Sequence, residues 1–441
     1  ATPLHPPANE TDDDFTDITA PDDVTPITFD IHELARSITK IPEVSAPGAS
    51  GWTNALLKKL YGKEAYSISN KSATARTANP TNDPIVNAGS SNPEKGIALL
   101  HKFYCMFLNK ELNRRTYDRL LMSRLILIPK PNGGTRPIAI GDTTLRLMLR
   151  VINAKVARDV GKKLEPLQVA VGTPGGCEII AALVQYTLEQ GRDSADTDTH
   201  RGALTVDLPN AFNGVNRRSI ANGLKEYCPE LLDLFTITYG NKSELRAHTA
   251  DGRGHLIGYS EKGCRQGDPL SMLYFAVAIH PALIKIQETL DTAHAHANSD
   301  YKPRVIAYAD DIALNGNTQI TLDNFATIDT HLTDATGLFS NIRKSALLGQ
   351  GVKELIMPPS LAELALNEDG GTIVGVPVGT DTIRESLSRE VIESHAKSIK
   401  LIAQNKVTGE QAKFSMLKFC ANTKVDYICR NVNPNLIQNH L

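Results

Sequence analysis

The chain has 441 residues, 41% hydrophobic and 22% charged, enough to bury a large core and to divide into two or three domains. This composition excludes a fibrous, collagen-like or uniformly low-complexity protein, and the lack of any apolar run of about 18 residues argues against a membrane-spanning helix. The formal charge of −2 is not that of a uniformly basic protein, but its source is local: residues 1–30 hold eight of the 49 acids and no Lys or Arg, leaving the remainder net +6.

In chain order, the first thirty residues combine Pro, Thr and Asp with few large apolar side chains, a composition that cannot offset the entropy of ordering. They predict a disordered acidic tail, with a lead-in to residue 47. Helical spacing of apolar residues starts at Ile31 and runs to Leu60, broken at Pro42 and at Ala46-Pro47-Gly48. A Ser/Asn/Thr-rich connection is expected from Ser67 to Pro93, then a helix over 95–109 with Leu99, Leu100, Phe103 and Met106 at helical intervals. Arg114, Arg115 and Arg119 are a cluster able to line a basic channel.

The sharpest local signal follows, a strand over 124–128, a turn at Pro131-Asn132-Gly133-Gly134 and a second strand over 136–140; Asn-Gly between apolar runs predicts a hairpin. Leu145, Met148, Leu149, Ile152 and Val156 then mark one stripe of a helix. Three short apolar runs, Ala203–Val206, Gly254–Tyr259 and Val305–Tyr308, alternate with helical stretches and predict an α+β domain on a small antiparallel sheet. Beyond Glu385 the pattern is helical. The six cysteines form no C-x-x-C pair or zinc-spaced cluster and are expected as reduced thiols in an intracellular protein.

Asp207 directly follows the run 203–206, at the end of a predicted strand, and Asp310 with Asp311 occupies the turn between two apolar strands. Apolar neighbours around adjacent acids are costly unless a cation compensates, and hard carboxylate oxygens suit magnesium. A polar hairpin turn would also suit two aspartates.

Tyr308-Ala309-Asp310-Asp311 between apolar strands resembles the signature of reverse transcriptases. Other segments resemble that family's motifs in its order: Leu127–Lys130 and Arg136–Ala139 the fingers hairpin, Asp207–Asn213 the first catalytic motif, and Gly263–Ser271 the segment beside template and nucleotide. Gly337–Ser345 is similar to the following motif with its terminal lysine, and Val374–Gly379 to the primer-gripping turn. The resemblance runs from about Gly48 to Pro434, and its wording is most similar to non-LTR retrotransposons. Pro209 inside the first motif and an insertion over 291–303 depart from the pattern.

The resemblance implies a right-hand polymerase with an antiparallel palm sheet and a helical thumb: fingers over 48–202, palm over 203–382 and thumb over 383–441. It implies an RNA-directed DNA polymerase that extends a DNA primer with dNTPs on template RNA, using two Mg2+ ions, or Mn2+, held by Asp207, Asp310 and Asp311. Lys344 would assist the departing pyrophosphate, Lys130 and Arg136 would grip phosphate oxygens, and Phe212 would exclude a ribose 2′-OH. Gln266, Gly267 and Tyr308 would contact the substrates. Lys413, Lys418, Lys424 and Arg430 would face a duplex backbone. Such a retroelement protein is expected in the nucleus, with no membrane partner. Two alternatives stay open, an RNA-dependent RNA polymerase and a catalytically silent RNA-binding scaffold. His294 and His296 are expected in a surface loop, and Trp52 as a packing anchor.

Overall fold

A computed structural model describes residues 5–8, 13–75, 96–129, 134–193, 201–248, 254–297, 301–406, 409–418 and 422–440. Along the chain it forms α1 (Ile31–Lys40), α2 (Asn54–Ala75), α3 (Gly96–Leu108), α4 (Arg114–Leu121), β1 (Ser123–Pro129), β2 (Thr135–Ile140), α5 (Thr143–Leu164), α6 (Gly176–Asp193) and β3 (Arg201–Val206). There follow α7 (Arg217–Tyr227), α8 (Leu232–Tyr239), β4 (Ser243–His248), β5 (Gly254–Ser260), α9 (Ser271–His296), β6 (Arg304–Tyr308), β7 (Asp311–Asn317) and α10 (Phe325–Thr336). Last come β8 (Ala346–Leu348), β9 (Ala365–Asn367), β10 (Gly370–Ile373), β11 (Val376–Gly379), α11 (Asp381–Gln404) and α12 (Asn422–Asn431).

The chain divides into two compact units. The first comprises residues 1–163 and 210–279, the second residues 164–209 and 280–441.

In the first unit the predicted hairpin forms with β1 and β2 antiparallel from Arg124↔Ile140 to Pro129↔Thr135, while residues 131–133 of its turn lie outside the described residues. β1 also pairs in parallel with β4, and β4 antiparallel with β5, giving the order β2-β1-β4-β5. This corrects the expectation that Gly254–Tyr259 shares a sheet with the two acid-bearing runs. Its nearest partner in sequence is β4, so the two strands close as a local hairpin. The α5 stripe of Leu145, Met148, Leu149, Ile152 and Val156 is buried as predicted. An aromatic core joins Phe235, Tyr239 and Tyr274, with Phe235 4.9 Å from Phe15 and 5.0 Å from Tyr274.

That contact overturns the disordered tail over its described part. Phe15, Ile18, Ile27 and Phe29 are all buried, and Phe29 packs on His101 and Tyr104. The acids have local partners. Asp13 accepts from the backbone N–H of Arg217, Asp17 pairs with Arg218, and Asp30 caps α1 through a reciprocal capping box with Glu33. Four spaced apolar anchors and these acid partners supply the ordering energy that bulk composition did not suggest. The helix α2 likewise continues to Ala75, through the start of the predicted connection, whose residues 76–93 lie outside the described set.

In the second unit the strands stand in the order β6-β7-β3-β8-β9, antiparallel throughout except for the parallel β8–β9 edge, a departure from a wholly antiparallel sheet. Helix α6 packs on it, burying Ile180, Val184 and Leu188 with Ala203, Ile306, Ala313 and Leu348. β10 and β11 form a separate hairpin. His294 and His296 sit on the last turn of α9, not in a loop, and the expected insertion over 291–303 therefore begins within that helix. Among the described residues, no helix is long and apolar enough to cross a membrane.

Candidate functional site

Strand register sets the acidic cluster. β3 pairs with β7 down to Val206↔Ile312, so one step further brings Asp207, just past its strand, opposite Asp311. β6 and β7 close at Tyr308↔Asp311, leaving Ala309 and Asp310 as the turn. Ala309 takes a left-handed backbone, φ 54°, which costs an alanine free energy and must be held from outside. Gln168 holds it: the side-chain oxygen accepts from the Ala309 N–H at 2.9 Å, and the side-chain NH2 donates to the Ala309 carbonyl at 3.2 Å. Gln168 is fully buried, and its backbone neighbours pair with Ala307 on both sides.

Asp207 is fixed through its own backbone. Its N–H donates to Ser345 Oγ at 3.1 Å, and its carbonyl accepts from the Asn341 N–H at 2.8 Å. The segment Gly337–Ser345 thus anchors the first acid, while the Lys344 side chain stands exposed on a single 3-10 turn, Ile342–Lys344.

The charges in this cluster interact. Protein packed around the Asp311 carboxyl, together with Asp310 and Asp207, pushes it up to about 6, although the residue keeps access to solvent. Asp207 Oδ2 is buried with no hydrogen-bond partner in the protein. An orphaned carboxylate oxygen beside two further acids is costly as it stands, and hard oxygen donors of this kind fit a divalent cation. Among the described residues, however, no three His, Cys, Asp or Glu side chains already converge in ligating geometry.

Of the predicted site residues, Asp207, Tyr308, Asp310, Asp311 and Lys344 belong to the second unit. Arg136, Phe212, Gln266 and Gly267 belong to the first. Lys130 lies outside the described residues. Arg136 is exposed on β2, and Phe212 is half-buried, stacked on Phe275 at 4.9 Å. Gly267, at φ 124°, is required by close approach: a Cβ there would lie 2.7 Å from the Ala139 carbonyl oxygen, beside the bond from Ala139 N–H to the Gln266 carbonyl. The loop 263–271 is therefore laced to β2.

Residues that sequence reasoning passed over complete this loop's support. Buried Arg265 donates to Ser243 Oγ and the Leu121 carbonyl, and it pairs with Asp268 at 3.5 Å, which also accepts from Tyr239 Oη. Buried Arg217 donates to the carbonyls of Gly263, Tyr239 and Ser260. Each satisfies several backbone oxygens with one planar fork. Arg217 stands outside any motif and leaves no local signal, and Arg265, although inside the segment 263–271, has partners far away in the chain. Trp52, expected as a packing anchor, is 37% exposed.

A family model described as reverse transcriptase (RNA-dependent DNA polymerase) matches residues 128–358, just over half of the chain. The chain is 24% identical over 326 residues to the retrotransposable element SLACS 132 kDa protein of Trypanosoma brucei gambiense, covering 73% of this chain and 23% of that protein. It is 25% identical over 231 residues to the retrovirus-related Pol polyprotein from type-1 retrotransposable element R2 of Popillia japonica, covering 50% of this chain and 31% of that protein. The chain thus spans less than a third of these relatives' length. Among solved structures, telomerase from Candida albicans with a fragment of telomeric RNA overlaps at a TM-score of 0.40 and 12% identity, over 76% of this chain and 66% of that one.

Proposed function

Because the chain belongs to the reverse transcriptase family, similar in its non-LTR retrotransposon members to SLACS and R2 proteins, we propose that it copies template RNA into DNA by extending a primer with dNTPs. The observation that carries this reading is the register that sets Asp207 opposite Asp311, with Asp310 in the adjoining turn. Magnesium, or manganese in its place, would be held by these three carboxylates and would offset charge on the phosphates as the primer 3′-OH displaces pyrophosphate.

The chain's own residues do the remainder. Gln168 and Ser345 keep the acids in place, so that little reorganisation is needed at the moment of reaction. Lys344 offers an exposed ammonium to the departing pyrophosphate, and Arg136, with Lys130, offers paired donors to phosphate oxygens. Gln266 and Gly267 present backbone and amide to the templating pair. Phe212 blocks the volume of a 2′-OH, and Lys413, Lys418 and Arg430 follow the duplex backbone by charge, the Lys424 side chain lying outside the described residues. Fingers over 48–202, palm over 203–382 and thumb over 383–441 are assigned on the same reading. A retroelement enzyme of this kind works on chromosomal DNA, in the nucleus.

The test is single-nucleotide extension of a DNA primer on an RNA template with dNTPs and with NTPs, for the wild type and Phe212→Val. The wild type is expected to use dNTPs and reject NTPs. Opening the gate should raise the NTP/dNTP ratio of kcat/KM by about tenfold or more, each tenfold step corresponding to roughly 1.4 kcal/mol of discrimination. Preferred use of NTPs by the wild type would make it an RNA polymerase, and no incorporation of either would leave an RNA-binding scaffold. An equal fall of both activities in Phe212→Val would reduce the ring to core packing against Phe275.

A further inference from the structure

The turn between β10 and β11 contains Val374 at φ 47° and Gly375 at φ 77°. Glycine tolerates this backbone, but a β-branched residue in the left-handed region is strained and persists only where its surroundings impose it. The imposing group comes from α12. Tyr427 Oη donates to the Val374 carbonyl at 2.9 Å, and its ring lies 3.9 Å from where a Cβ on Gly375 would stand.

The same side chain lies beside the acidic hairpin. Burial first, and then the neighbouring Cys177 thiol, push the hydroxyls of both Tyr308 and Tyr427 above their ordinary range, so the thiol lies close to both. Tyr308, Val374 and Tyr427 also pack together against the core of this unit. Room for the Tyr308 ring is made at Gly176, where a Cβ would lie 3.2 Å from Tyr308 Cδ2 and 2.0 Å from the Val169 carbonyl oxygen. One hydrogen bond and shared packing thus join helix α12, the strained turn and the residue two positions before Asp310.

We propose that Tyr427 is a positioning residue for chain extension, its hydroxyl holding the Val374–Gly375 turn in register with Tyr308 so that the primer end meets the acids. The proposal rests on the reverse-transcriptase reading. Side-chain hydrogen bonds to a strained backbone bias a two-state turn, and losing one lets Val374 relax toward the ordinary extended region. The primer end would then be presented off line, which slows the chemical step without weakening dNTP binding.

The experiment compares wild type, Tyr427→Phe and the double variant Tyr427→Phe/Val374→Asn in single-nucleotide extension on an RNA template, with Tm measured alongside. Phenylalanine keeps the ring and deletes only the hydroxyl. Its kcat is expected to fall about tenfold while KM for dNTP and Tm stay nearly unchanged. Asparagine before glycine favours a turn with two left-handed residues on its own. It should therefore restore most of the lost kcat, a rescue that a packing role for the hydroxyl would not give. Tyr427→Phe within twofold of wild type would overturn the proposal, as would a loss that tracks a lowered Tm and is not rescued by Val374→Asn. A wild type that incorporates no dNTP would reject the reverse-transcriptase reading instead.

Discussion

At the scale of single residues, the acids carry a cost with a definite sign. The Asp311 carboxyl is raised to about 6, so its protonated form is favoured by the fold, and the stability this lends is present at low pH and lost as pH rises through that value. At neutral pH without divalent ions the repulsion among the three acids is fully felt. Asp310→Asn removes one charge from the group. It should raise Tm in metal-free buffer by about 1–3 °C, while primer extension falls by two or more orders of magnitude. Added magnesium should then stabilise the wild type more than the variant. A lower Tm for Asp310→Asn in metal-free buffer would show that the carboxylate is a structural partner and not part of a charge cluster awaiting a cation. These acids were legible in the sequence because each adjoins a short apolar strand. Gln168 and Tyr427 were not, since the groups they hold lie 141 and 53 residues away and nothing beside them in the chain marks the contact.

At the scale of elements, what was legible was local. The β1–β2 hairpin, the α5 stripe and the β6–β7 hairpin each follow from neighbouring residues, whereas the parallel β1–β4 pairing joins Ser123 to Leu245 and has no signature in either strand. The N-terminal segment was misread for a related reason. Its average composition is that of a disordered tail, but Phe15, 2% exposed, lies against Phe235 in another element, and composition is blind to where four anchors land. Phe15→Ala empties an aromatic site in the first unit's core and should cost about 3 kcal/mol. In urea unfolding followed by fluorescence or circular dichroism, the midpoint should fall with little change of slope. An unaltered midpoint would restore the segment to the status of a dispensable tail.

At the scale of the whole molecule, the chain passes between its two units at 163/164, 209/210 and 279/280, so neither unit is one continuous stretch of sequence. Element order along a chain does not disclose such a path, because it depends on which strands pair, and β4 and β5 return to β1 only after the chain has built β3 into the other sheet. A functional division at residue 202 therefore separates β1 from β4. Without β4 the buried side of β1 around Ser123 loses the cover of Leu245, 2% exposed, and the aromatic core loses Phe235, Tyr239 and Tyr274 together. Two strands alone are marginal in water, and the burial that stabilises them here comes from residues 210–279. A fragment ending at 202 is accordingly expected to leave β1 amides open to hydrogen exchange, whereas a fragment ending at 279, which holds every residue of the first unit, should protect them as the full chain does. If β1 amides in the shorter fragment exchange as slowly as in the intact protein, the hairpin and the helices before it suffice, and the return of residues 210–279 is not what stabilises this sheet.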